Sequence, residues 1–281
     1  MAHTSFRHQT DIALGVGTGL AQDRQGFIWM STQTGLVRWD GFRLRRYIAD
    51  SSRPGSLPDS YLQCVRVDGS GRIWAGTSSG GLVRYDPAHD NFITIGAGPQ
   101  GLSHGRVSSL EDDGAGGIWI GTGGGLERID AAGRLYRAGS GPAQVGASQL
   151  PPGGVEVLLR EPGGALWIGT RQGLFRRTAD HAPLRAITLT GGATEPGINA
   201  LYQDARGRIW IGTRAHGAFV SPTAGAPARP VSANGLPILQ GERVLSVIET
   251  RPDVIWFGTE GGGILELDLA RQRTRRLRHH P

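Results

Sequence analysis

The chain has 281 residues, 38% of them apolar, with 46 Gly and 16 Pro. Glycine is costly inside helices, so this composition excludes a helical solenoid and favours many short strands joined by tight turns. All 30 basic residues are Arg and the formal net charge is +6, but the arginines are scattered rather than gathered in a stripe, which argues against a nucleic-acid surface.

At the N-terminus, MAHTSFRHQTD has no apolar run of the signal-peptide kind. TSFRHQT (4–10) reads as an outer strand that precedes the first full unit. From there one phrase recurs six times: an acidic turn, a Gly, an apolar residue followed by Trp, then a small residue and Thr. The tryptophans are Trp29, Trp74, Trp119, Trp167, Trp210 and Trp256, spaced by 45, 45, 48, 43 and 46 residues. Each copy reads as four strands. The first carries Gly17, Leu62, Val107, Val155, Ile198 and Val244 twelve residues before Trp. It carries Leu20, Val65, Leu110, Leu158, Leu201 and Val247 nine before. A strand packed on both faces has this pattern. A turn follows at Asp23, Asp68, Asp113, Glu161 and Asp204, with Thr250 in the last copy. Acids satisfy local amides there, and the Gly three residues before Trp supplies positive φ.

The second strand holds the Trp, which buries a large flat area between neighbours. It ends in Thr32, Thr77, Thr122, Thr170, Thr213 and Thr259. A hydroxyl repeated in every copy is architectural, because a catalytic group would occur once. The third strands are GLVRWD, GLVRYD, GLERID, GLFRRT, GAFVSP and GILELD, and the fourth are weaker. Cys64 sits on an inner strand as a buried thiol with no partner for a disulfide. RQRTRRLRHH (271–280) reads as the outer strand of the last copy with a charged solvent face.

Four strands per period of about 45 residues point to a β-propeller. The expected fold is all-β, one propeller domain over 1–281, either six-bladed or an incomplete seven-bladed ring. A stacked β-solenoid fits less well, because its turns are shorter. Propeller sites lie in the loops at the channel mouth, and there the copies differ. Tyr61, His104, Arg106, Arg171, Asn199, Arg214, His216, Glu242, Arg243 and Glu260 are the candidate ligand-binding residues. Arg and aromatic groups suit carboxylates, uronates or sugar hydroxyls. Arg106 and Arg243 share one repeat position, and His104 lies on the same loop as Arg106.

The repeated GxIWxGTxxGGLxRYD phrase, with Gly-Leu linkers such as GPQGLSHGRV and SANGLPILQGERV, resembles the two-component regulator propeller repeat. QDRQGFIWMSTQTGLVRWDG looks like the opening blade of that family. The resemblance covers nearly the whole chain. It implies a non-catalytic sensor module of bacterial signal transduction, periplasmic in its relatives. Such a module binds a small polar or anionic ligand such as an oligosaccharide, with an output kinase or cyclase domain and a dimer partner. This chain departs from the family in having no leader, membrane span, kinase or cyclase segment of its own, so by its sequence alone it would be cytoplasmic.

A protein-interaction scaffold is the alternative, and it requires an exposed apolar patch. A streptogramin-lyase-like enzyme is a further one, since WFGTEGGG (256–263) loosely resembles that repeat. Such an enzyme needs a convergent metal site. None of the eight His has ligand spacing, so no metal or cofactor is expected. Runs such as GTGGGLER (121–128) are not followed by a helix, so they do not read as phosphate loops. Circular dichroism is expected to show strand and turn signals with no helical minimum at 222 nm; a helix-dominated spectrum would contradict the repeat reading.

Overall fold

The computed structural model describes residues 15–137, 154–179, 182–194 and 196–278. The segment 4–10 lies outside the described residues. Six four-stranded antiparallel sheets follow one another along the chain, as the blades of a six-bladed β-propeller. They span 17–47, 62–95, 107–136, 155–187, 198–230 and 244–277. No helix occurs among the described residues. Each blade runs inner, second, third and outer strand in sequence order. The inner strands are Gly17–Gln22, Leu62–Val67, Val107–Asp112, Val155–Arg160, Ile198–Gln203 and Val244–Arg251. The outer strand of blade 6 is Arg273–Leu277, with three of its five residues exposed.

Packing repeats with the sequence. Trp29, Leu36 and Tyr47 of blade 1 meet Leu62, Val65, Ile73 and Ala75 of blade 2 in one cluster. Trp74 and Leu82 meet Val107, Leu110, Ile118 and Ile120 in the next. Trp119, Trp167 and Trp210 repeat the arrangement against blades 4, 5 and 6. The core is therefore a series of five interblade layers, each made from the Trp face of one blade and the opposite face of its successor. Close approach is possible because Gly follows the Trp. A Cβ on Gly76, Gly121, Gly169 or Gly212 would lie 2.6–2.8 Å from Val107, Val155, Ile198 or Val244 of the following blade.

Polar groups lock each layer. The Trp29, Trp74, Trp167 and Trp210 indole N–H groups donate to Asp23, Asp68, Glu161 and Asp204 at 2.5–2.8 Å. The same acids accept turn amides, as Asp68 does from Ser70 and Arg72. Arg guanidinium groups stack over the indoles, for example Arg72 on Trp74 and Arg208 on Trp210. All six threonines donate to the carbonyl of the glycine that opens the third strand: Gly35, Gly81, Gly125, Gly173, Gly217 and Gly263.

Two features go beyond the sequence reading. Each inner strand carries a bulge, at Thr18, Gln63, Ser108, Glu156, Asn199 and Leu245. And SANGLP, read as part of a loop, is a short hairpin pairing Ser232–Ala233 with Leu236–Pro237. Its turn is Asn234-Gly235, both at positive φ, the conformation that an Asn-Gly hairpin turn requires.

Cys64 lies on the inner strand of blade 2, and desolvation pushes its thiol up to about 12, so it stays neutral. Burial alone raises the Asp68 and Asp204 carboxyls. Hydrogen bonds from the Trp74 and Trp210 indoles and from Arg72 and Arg208 outweigh it, and both are held below the usual carboxylate range. A depressed folded-state pKa contributes stability that is complete above the unfolded value, roughly 3.9. That contribution is lost as pH falls through the folded value. Asp68→Asn should therefore cost about 1.5–3 kcal/mol at neutral pH, and weaken the pH dependence of unfolding below about pH 4; acid titration of the denaturation midpoint reads both. Trp119→Ala should cost about 3–5 kcal/mol in chemical denaturation.

Candidate functional site

The bulges aim side chains between blades. A bulged residue leaves the ladder unpaired, and its side chain is redirected. Thr18, Ser108 and Asn199 use this freedom to donate to the Leu62, Val155 and Val244 carbonyls of the following blade. Asn199 is thus held at 3.3 Å on a backbone carbonyl. Glu156 occupies the same bulge in blade 4, and an acceptor cannot make that bond. Its carboxylate instead takes Arg106 from blade 3 and, at 2.8 Å, Arg171 from its own blade.

In five of the six blades the residue before the inner strand pairs with the residue after the repeat Thr. Val16, Tyr61, Arg106, Gly197 and Arg243 accept the amides of Gln33, Ser78, Gly123, Arg214 and Glu260. These pairs form one rim, at the end of the array where the inner strands begin. Tyr61, Arg106, Arg171, Arg214, Arg243 and Glu260 all lie on it. Arg106 and Arg171 share Glu156, and Arg243 donates to Glu260 at 3.0 Å. Tyr61 accepts from Gln33 of blade 1 at 3.2 Å. The Arg214 side chain is exposed and makes no ion pair among the described residues.

The remaining candidates have other partners. His104 is exposed, and its Nδ1 accepts the Arg106 amide at 2.9 Å. Its ring lies over the turn at Gly123. Glu242 binds Arg276 of the outer strand through two bonds of 2.6 and 2.8 Å. That guanidinium holds the Glu242 carboxyl below its ordinary value. His216 lies half-buried, with Nδ1 unpaired among the described residues. Arg243 Nε is likewise buried without a partner.

Sequence reasoning missed Glu156. Variable binding residues are expected in loops, whereas Glu156 reaches the rim from a strand through its bulge. Among the described residues no group of three or more His, Cys, Asp or Glu could hold a metal ion. Two cavities lie away from the rim. One of about 250 Å³ sits by Arg45, Tyr47 and Asp90, and one of about 290 Å³ by Arg208 and Pro230. Both are beside outer strands, and the rim is the better candidate because it gathers unlike residues from several blades.

The family model described as "two component regulator propeller" matches residues 101–124 and 193–215, each ending just beyond a repeat Thr. The chain is similar in structure to the extracellular domain of a hybrid two-component system, BT3049, from B. thetaiotaomicron. The TM-score is 0.78 at 25% identity, covering 98% of this chain and 37% of that one. A second extracellular domain of such a system from the same organism, BT4673, gives 0.76 at 18% identity, covering 97% and 34%. The chain thus spans about a third of the length of these relatives. Virginiamycin B lyase from Staphylococcus aureus shares the fold, with TM-score 0.68 at 13% identity, covering 96% of this chain and 87% of the lyase. No curated protein matches in sequence.

The Glu156 arrangement is testable through its positioning effect. Glu156→Gln should leave the fold intact, with the circular dichroism spectrum unchanged. It should raise the thermal midpoint's sensitivity to salt, because Arg106 and Arg171 then face each other without a counter-charge.

Proposed function

We propose, from the premise that this chain is built of two-component regulator propeller repeats, that it is a non-catalytic sensor propeller and binds a small anionic ligand at its rim. The observation that carries the reading is the rim's composition. Arg106, Arg171, Arg214 and Arg243 come from four blades and share one end of the array, and among the described residues their ion-pair partners are Glu156 and Glu260. Guanidinium groups offer paired donors that match a carboxylate. A rigid scaffold with varied loops is where binding residues are expected. Sugar acids fit this chemistry, since Tyr61 can stack on a ring while arginines take the carboxylate.

The likeness to extracellular domains supports a place outside the cytoplasm, with a ligand that arrives from the surroundings. Output through a kinase or cyclase would belong to other segments of a longer protein. Among the described residues no helix is long and apolar enough to cross a membrane.

Calorimetric titration with di- and trigalacturonate, against neutral galacto-oligosaccharides of the same length, tests the reading. The acidic sugars should bind. Arg214→Ala should weaken them by about 10- to 150-fold, the equivalent of one charge-assisted bond of roughly 1.5–3 kcal/mol. Its denaturation midpoint should not move. Equal binding of acidic and neutral sugars, or of wild type and variant, would place the site elsewhere.

A further inference from the structure

One buried acid takes no part in the rim pairs. Opposite the residue that follows each repeat Trp, the third strands place Val37, Val83, Glu127, Phe175, Phe219 and Leu265. Five copies are apolar there, and Val83, Phe175, Phe219 and Leu265 pack toward the preceding blade. Glu127 is sealed, at 0% exposure. A carboxylate in such a layer is costly unless donors satisfy it. Its donors come mainly from the linker between blades 2 and 3. The Ser103 amide donates to Oε1 at 3.0 Å, and the Ser103 hydroxyl donates to the same oxygen. The Thr122 hydroxyl, shared with the Gly125 carbonyl, lies 3.1 Å from it. Among the described residues no guanidinium or imidazole forms an ion pair with Glu127.

Room for this linker exists at one hairpin. After the repeat Thr the other copies carry Gln33, Ser78, Arg171, Arg214 and Glu260, and blade 3 carries Gly123. A Cβ on Gly123 would lie 2.6 Å from His104 Nδ1, so the imidazole occupies the space where a hairpin side chain would begin. From Ser103 the chain runs through His104, whose Nδ1 accepts the Arg106 amide, to Arg106, whose guanidinium pairs with Glu156. Blade 3 therefore fills its part of the rim from the linker and not from the hairpin. Blade 2 ties linker to hairpin with the opposite polarity: Asp59 accepts the Ser79 amide and hydroxyl at 3.0 and 2.8 Å, but on the surface.

Stability does not account for Glu127. Replacing a buried charged group by an apolar one of similar volume is often neutral or stabilising. Five copies carry an apolar group at this position. Ser103 is itself exposed, so its amide and hydroxyl can turn to water once the carboxylate is removed. We propose that Glu127 is a positioning residue of the rim: it holds the linker 101–106 against the blade 3 hairpin and so fixes where His104 and Arg106 stand. The part that Arg106 plays in binding rests on the anion-site reading above, whereas the hold on the linker does not.

Two variants test this against wild type. Glu127→Val installs the residue of blades 1 and 2, and Glu127→Gln keeps an acceptor. Hydrogen exchange of single amides, thermal melting and calorimetric titration with digalacturonate are the readouts. In Glu127→Val the Ser103 amide should exchange about tenfold faster or more, as for a segment released to open locally. The amides of Val107–Asp112 and Ile118–Thr122 should not change, and the melting temperature should equal that of wild type or exceed it. Glu127→Gln should exchange close to wild type. Digalacturonate affinity should fall several-fold in Glu127→Val, and should fall no further when that change is added to Arg106→Ala, because the two residues act as one unit. Unchanged exchange at Ser103 would overturn the proposal. So would failure of Glu127→Val to fold, or a melting temperature lowered as far as by Leu126→Ala in the sealed core. Faster exchange with unchanged affinity would overturn the positioning of Arg106. If wild type does not bind digalacturonate, the anion-site reading falls, and the exchange at Ser103 alone decides whether Glu127 holds the linker.

Discussion

An indole pressed between two sheets is the interaction on which this architecture rests. Trp29, Trp74, Trp119, Trp167 and Trp210 each face the inner strand of the next blade. Burying so large a ring is favourable, but its N–H must then find an acceptor. In four blades the turn acid six residues earlier provides it. That acid also gathers the amides of its own turn. One carboxylate therefore couples turn geometry, indole orientation and the packing of two blades. The glycine beyond the indole sets how closely the next blade approaches, and the threonine beyond that closes the following hairpin.

Such regularity constrains where function can lie. Groups that recur in every blade are committed to the scaffold, including all six threonines and most turn acids. The rim differs because the bulge in each inner strand releases one side chain from the ladder. Where that side chain is Thr18, Ser108 or Asn199, it ties blade to blade. Where it is Glu156, it draws two arginines together. A single substitution at a repeated position thus converts a structural bond into a local charge cluster, and the proposed anion site is built on that change. The same position in blade 6, Leu245, carries neither role and is exposed.

The fold was legible because its signal is periodic. Six tryptophans at near-constant spacing specify the blades, and the strand positions follow from residues at fixed offsets. Residues 232–237 were less legible, because a two-residue pairing is set by the Asn234-Gly235 turn and not by any apolar alternation. The site was legible only in part. Arg106 and Arg243 were visible as variable residues at one repeat position. Glu156 was hidden, since a bulge is a backbone event with no sequence pattern of its own, and an acid within VEVLLR looks like a solvent-facing strand residue. His104 and Glu242 looked like free loop groups, yet one accepts a backbone amide and the other binds Arg276 on an outer strand. Long-range partners of that kind are fixed by the tertiary fold.

The central claim is that each of the five interblade layers among the described residues seals one tryptophan. Quenching of intrinsic fluorescence by acrylamide measures this directly, because the seven tryptophans divide into five sealed ones and Trp39 and Trp256. The account predicts that the readily quenched emission disappears in a Trp39→Phe, Trp256→Phe double variant, leaving only slowly quenched emission. Rapid quenching that persists in that variant would show that the interior layers are not sealed and would contradict the account.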